Sequence, residues 1–508
     1  MPAVDALLAK YATAKVSDYV AQLGQPNVSA FQDNQDFIRE VANYTRETLG
    51  PELGDAISED LHELPQVLTA NHHGIDTFAQ STQSNLLFSM RKKADGSPVK
   101  TIPVLACGSV PMNNLTYPRG FLIYAGSAAS GDGGVLKLPL FPDSYKRKLV
   151  SLAGPFTTDM LGRSRARAKN LMESDKLNPC IGPALNKIFD DCANIGQDFP
   201  GYSRQATIAN QRFWRHLFQD GARSSDLVYL ELENIVSRLL EKDLFDQSTI
   251  SHQLLFDPEL RRKLIENLDG QRGCWHHEKL LTRCSESSAV KSQNTTDSIQ
   301  GTIFFWGVDE KGRKIPLCLV EDSKATNAEL RGVDDSGKLF TCPLTPADIS
   351  RGLQEGRLLP SIFTSYLLLS IARGISCTGG YYQAEYLPVM RTAVIETLHS
   401  KSGRIVKTFD SGKLRPDPYL SGMQTIGLRT GSQLFPAGPL EIIASGGLSA
   451  EQLQQVGEVT VLQSHIASLY DTMTDVSPRH EDPNLQKKEI ARLVHDAVGS
   501  KILTISLG

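Results

Sequence analysis

At 508 residues, with 40% hydrophobic and 22% charged residues, the chain has an ordinary globular composition and is too long for one ordinary core. A net charge of −4 supplies no global attraction to nucleic acid or anionic lipid, so neither partner is expected. The eight cysteines are dispersed without a C-x-x-C pair, several in apolar surroundings, which reads as reduced thiols in a cytoplasmic protein.

Residues 1–62 predict a helical segment. Apolar residues recur at three-to-four spacing through Leu7, Leu8, Tyr11, Val16, Tyr19 and Val20, and again through Phe37, Ile38, Val41 and Tyr44. Asp5, Lys10, Lys15 and Asp18 interrupt the opening stretch, which is not the pattern of a secretory leader. From Val67 the period shortens. Runs at 67–70, 102–107, 121–125 and 135–140 read as strands, each followed by Gly, Asn or Pro. Helical stretches alternate with only some of them. Residues 63–154 therefore predict an α/β, site-bearing region on a mixed sheet.

Residues 155–285 predict a mainly helical region. Within it Asp257 caps a helix, Pro258 fits its first turn and Gly270 closes it. Residues 286–300 are polar with few apolar anchors, the composition of a mobile loop or linker. Residues 301–508 predict a second, α+β region. It opens on a hairpin, 302–306 and 315–320 around Asp309-Glu310-Lys311-Gly312, and continues with a helix start at Thr345-Pro346-Ala347-Asp348. The uncharged stretch between Arg357 and Arg373 is too short to span a bilayer and predicts a buried core helix. Residues 440–444 read as a strand, Gly446-Gly447 as a turn, and Ser449 with Gln452 as a capping box.

The densest chemistry lies in Asn71-His72-His73-Gly74-Ile75-Asp76, just past the first predicted strand. Ligand sites of open α/β sheets lie beyond the carboxyl ends of strands. One imidazole oriented by Asp76 would make a general base; both with the carboxylate would make a metal set, but only in an irregular turn. The bland alternative is a turn whose histidines merely pack. The run is similar to the His-x4-Asp block of glycerolipid acyltransferases, where an Asn often precedes the His. Here Asp76 stands one residue too near His72 and two too near His73, and Phe141-Pro142-Asp143 lacks the glycine of that family's next block. No role is carried over.

A second candidate runs from Cys107 to Gly120, where Asn113, Asn114, Tyr117 and Arg119 share a loop and Arg119 could clamp a carboxylate or phosphate. Ser109 is not in a G-x-S-x-G elbow. A third is Ser445-Gly446-Gly447, an anion cradle if a strand precedes it and a helix follows. Weaker signals are Cys274-Trp275-His276-His277-Glu278, a basic strip from Lys146 to Lys169, and Cys377-Thr378-Gly379-Gly380-Tyr381-Tyr382-Gln383.

Together these residues predict a soluble enzyme acting on a small polar, anionic metabolite by His-assisted group transfer or hydrolysis at a carbonyl or carboxyl-derived centre. His73 or His72 would be the base beside Asp76; Asn71, Asn113, Asn114, Tyr117, Arg119 and Ser445-Gly446-Gly447 would bind substrate. The rivals are a metal-dependent hydrolase or lyase on His72, His73 and Asp76, and a non-catalytic scaffold. No dinucleotide or Walker A fingerprint is present, so no cofactor is specified.

Overall fold

The computed structural model describes residues 2–23, 31–125, 135–196, 199–222, 225–271, 299–301, 304–321, 328–401, 419–476 and 483–507. The expected loop at 286–300 lies outside these residues except for Ile299 and Gln300, which belong to a strand, Ile299–Gly301. The 274–278 cluster also lies outside them.

The fold is α/β. Its centre is a five-stranded sheet, in spatial order Tyr419–Ser421, Ser376–Gly380, Gln66–Leu68, Thr101–Ala106 and Asp226–Glu231. Every neighbouring pair in it is parallel. A parallel sheet needs cover on both faces, so its strands read as continuous apolar runs. Alternate residues divide between two cores. Leu68, Ile102, Val104, Ala106, Leu227 and Tyr229 join one cluster, against Leu86–Phe88 and the helices Gly182–Ala193 and Tyr202–Arg215. Val67, Leu105, Val228, Leu230 and Cys377 join the other, with residues of helices Gln35–Leu49, Leu232–Asp243 and Pro258–Leu268. Each Val, Leu or Ile among them contributes roughly 1.5–3 kcal/mol on full burial, which pins the strand register and the positions of the strand ends.

The remaining sheets are separate. Gly120–Ile123 and Leu136–Pro139 pair only with each other, antiparallel, so parallel and antiparallel pairing coexist in the N-terminal half on different sheets. The expected hairpin forms between Phe305–Val308 and Lys314–Ile315, and the Asp309 carboxylate accepts the Lys311 and Arg313 amides in its turn. The helix starts at Asp257, Thr345 and Ser449 are all present with their side-chain caps.

Four readings need correction. Residues 440–444 are helix, Pro439–Ala444, because Pro439 sits in the first turn and Glu441 reaches back to the Gly438 amide. The stretch read as one core helix is a strand, Leu358–Pro360, a short helix, Ile362–Tyr366, and a buried π-helical segment, Leu367–Ala372. The 226–231 strand inside the helical region was not foreseen. Cys318 is disulfide-bonded, although Cys107, Cys192 and Cys342 are free thiols. Among the described residues no helix is long and apolar enough to cross a membrane.

Candidate active site

The 71–76 run leaves the carboxyl end of the 66–68 strand and is fixed by buried polar side chains from two other elements, the 202–215 helix and the 226–231 strand. The Ile75 amide donates to the Tyr202 hydroxyl (2.7 Å), which itself donates to the Pro118 carbonyl (2.7 Å). Asn210 accepts the Asp76 amide (2.9 Å) and donates to the Gly74 carbonyl (2.8 Å). The Tyr229 hydroxyl lies 2.8 Å from both the His72 carbonyl and the Asp76 carboxylate. Gly74 has φ +122°, and a Cβ there would fall 2.4 Å from Cβ of Pro118. Only glycine suits that position.

This turn separates the residues that the sequence places together. His73 points inward: it is fully buried, stacks on Tyr229 and sets Nε2 2.9 Å from Ser203 Oγ. Burial lowers its pKa to about 4, so it is neutral. The Asp76 carboxyl faces Tyr229 and the Phe78 amide, and burial raises it to about 6. Neither a His73–Asp76 base pair nor a three-ligand metal set is formed, because the three side chains do not converge. Among the described residues no group of three or more His, Cys, Asp or Glu is placed to hold a metal.

His72 points the other way, into a cavity of about 620 Å³ at the carboxyl ends of the central strands. Its Nδ1 lies 3.3 Å from Asn114 Oδ1. The Asn114 amide is itself oriented, since Nδ2 donates to the Pro111 carbonyl (2.8 Å) while Oδ1 accepts from the amide and the hydroxyl of Thr116 (2.8 Å each). An acceptor opposite Nδ1 assigns the proton to that nitrogen and leaves the Nε2 lone pair unprotonated. Burial lowers the His72 pKa, which keeps the ring neutral.

Asn71, Cys107, Ser109 and Thr116 line the cavity beside His72. The 107–109 loop is held by Glu233 at the start of the 232–243 helix, which accepts the Gly108 amide (2.6 Å), the Ser109 amide (2.8 Å) and the Cys107 thiol (3.2 Å). Burial, and then Glu233, push the Cys107 thiol up to about 12. A thiol held protonated in this way is not an activated nucleophile. The opposite wall comes from the distant hairpin, with Trp306 and Lys314, and from the strand-to-helix junction Gly380–Gln383. That junction joins the 376–380 strand to helix Tyr381–Lys401, and Gly379 leaves room for Gln383 to fold back against it. Gln383 accepts from the Thr69 hydroxyl (3.0 Å) and the Tyr366 hydroxyl (2.6 Å).

Several expected binding residues lie elsewhere. Arg119 is buried beneath its own loop, bonded to Asp143 (2.6 Å), the Phe141 carbonyl (3.3 Å) and the Tyr117 hydroxyl (3.2 Å), and does not line the cavity. Its two terminal nitrogens are engaged within the loop while Nε has no hydrogen-bond partner, so the side chain holds the loop. Tyr117 and Asn113 serve the same loop, the latter through its amide to the Lys146 carbonyl. Ser445, Gly446 and Gly447 follow the C-terminus of the 439–444 helix, where the dipole is negative, and not a strand; they are also outside the cavity. In the basic strip Arg163, Arg165 and Lys169 each pair with a carboxylate.

The sequence reading missed Lys314, Trp306 and Glu233. Nothing local marks them: Lys314 looks like a hairpin lysine, and Glu233 like an acid in a first helical turn. No protein-family model, curated protein or solved structure matches the chain.

Proposed function

We propose that the chain is an enzyme in which His72 acts as general base on a small organic anion, in group transfer or hydrolysis at a carbonyl or carboxyl-derived centre. The observation that carries this reading is the His72–Asn114 pair, of which His72 lines the cavity: Nδ1 is engaged, and Nε2 is the nitrogen left for chemistry. In the proposed step Nε2 takes the proton of an attacking hydroxyl or water as its oxygen bonds to the substrate carbon. Asn114 supports the imidazolium that forms by accepting from Nδ1. A base placed in this way contributes about 10²–10⁴-fold in rate.

Lys314 takes the anchoring role that Arg119 does not fill, and the hydroxyls of Ser109 and Thr116 supply polar contacts beside the base. A cytoplasmic setting belongs to the same proposal; the thiols of Cys107, Cys192 and Cys342 support it and the Cys318 disulfide weighs against it. The absence of nucleic-acid and membrane partners belongs to the proposal as well, and draws on the net charge of −4 and on the carboxylates paired with Arg163, Arg165 and Lys169.

The test is release of nitrophenolate from a panel of nitrophenyl esters of small mono- and dicarboxylic acids by wild type and His72→Gln. The expected loss in kcat is on the order of 10²-fold with little change in KM. Equal kcat in the two proteins would contradict the proposal.

A further inference from the structure

The cavity has an unusual charge balance. Among its described lining residues there is no Asp, Glu or Arg, and Lys314 is the one lysine; burial lowers its pKa. Lys314 makes no ion pair among the described residues; its Nζ sits 4.4 Å from the centre of the Trp306 ring. Glu233 acts on it only at a distance, with its own oxygens turned to the 107–109 loop. Burial disfavours the charged form of Lys314, and an incoming anion favours it.

The rest of the cavity is suited to something other than a small polar anion. Eight lining residues are aromatic, including Phe305, Trp306, Tyr366 and Tyr386. Three of the few large hydrophobic side chains exposed on the described surface also line it: Leu115 (52% exposed), Tyr382 (51%) and Ile362 (43%). Leu115 comes from the loop that carries Asn114, Ile362 from the 362–366 helix and Tyr382 from the 381–401 helix. Apolar groups from three separate segments thus meet water at the same cavity, which marks a ligand surface better than scattered exposure does.

We infer that the ligand of this cavity is an amphipathic organic anion: a charged head neutralises Lys314, and an apolar body, ring-sized or larger, covers the aromatic wall as far as Leu115, Ile362 and Tyr382. The inference rests on the cavity being the functional site and narrows the substrate from a polar anion to one with a substantial apolar part. A volume of about 620 Å³ accommodates such a molecule.

The test uses fluorescence titration with two matched probes, anilinonaphthalene sulfonate and its neutral counterpart phenylnaphthylamine, with inorganic phosphate as a small polar competitor. One saturable sulfonate site per chain is expected. Lys314→Met should weaken the sulfonate at least about 10-fold and the neutral probe less than about twofold, with Lys314→Arg restoring the sulfonate. Tyr382→Ala should weaken both probes. No saturable sulfonate site, equal sulfonate affinity in Lys314→Met, or phosphate competing as tightly as the sulfonate would each overturn the inference. His72→Gln should leave both affinities within about twofold. Failure of the base assignment and failure of the ligand class are therefore read separately.

Discussion

Asn114 Oδ1 stands 3.3 Å from His72 Nδ1, across a cavity wall built from two different strand ends, and so decides which imidazole nitrogen is free. The relationship is encoded locally on one side only. Pro111, Asn114 and Thr116 form a turn that aims the amide oxygen outward, while His72 reaches that oxygen because its own turn is tied to Tyr229.

Removing the acceptor should therefore damage catalysis more than binding. Asn114→Leu lets the ring adopt either tautomer, and kcat is expected to fall about 10-fold or more with KM nearly unchanged. Asn114→Asp restores an acceptor and adds a negative charge beside the ring, so the acid limb of the pH–rate profile should move to higher pH. A kcat for Asn114→Leu equal to that of wild type would show that the contact does not orient the base.

Gly74→Ala tests the turn. The positive φ and the approach of Pro118 make any side chain there strained, at a cost of about 2 kcal/mol or more. Thermal melts should show a clear fall in Tm, and activity should fall further than unfolding accounts for, since His72 moves with the turn. An unchanged Tm would mean that the turn is not held as described.

Glu231 offers a test of the interior beneath the site. Burial first, and then Glu233, raise its carboxyl to about 8. A folded-state value above the unfolded one means that stability is fully present below the unfolded pKa of about 4.3 and is lost as pH rises through the folded value. Glu231→Gln abolishes that titration. The variant should match wild type near pH 4, exceed its Tm increasingly as pH rises from about 4.3 to about 8, and keep a constant lead above that. A Tm difference independent of pH would contradict the burial of this carboxyl.

What was legible in the sequence follows from how local each signal is. Asp257, Thr345 and Ser449 announce helix starts because a cap acts within three residues, and all three are caps. The run at 440–444 misled because its apolar residues outweighed Pro439 and Glu441, which together mark a helix start. The 71–76 run was legible as a polar turn beyond a strand end, but not the opposite directions its two histidines take. Which histidine faces the cavity depends on Tyr202, Asn210 and Tyr229, all more than a hundred residues away. Arg119 looked free because Asp143 becomes its partner only once Phe141 packs back onto the Arg119 backbone. Lys314 and Tyr382 reach the cavity through tertiary packing alone, with no spacing relative to His72 to betray them.

The state of the His72 ring is the most direct measure of the account. Nitrogen-15 spectra of the histidine rings, with His72 identified by its disappearance in His72→Gln, report the tautomer and its titration together. The geometry predicts a neutral ring at neutral pH, protonated on Nδ1 and bare on Nε2, that takes up a second proton only below the usual histidine value of about 6.5. A ring carrying its proton on Nε2, or one already cationic at neutral pH, would contradict His72 as the base.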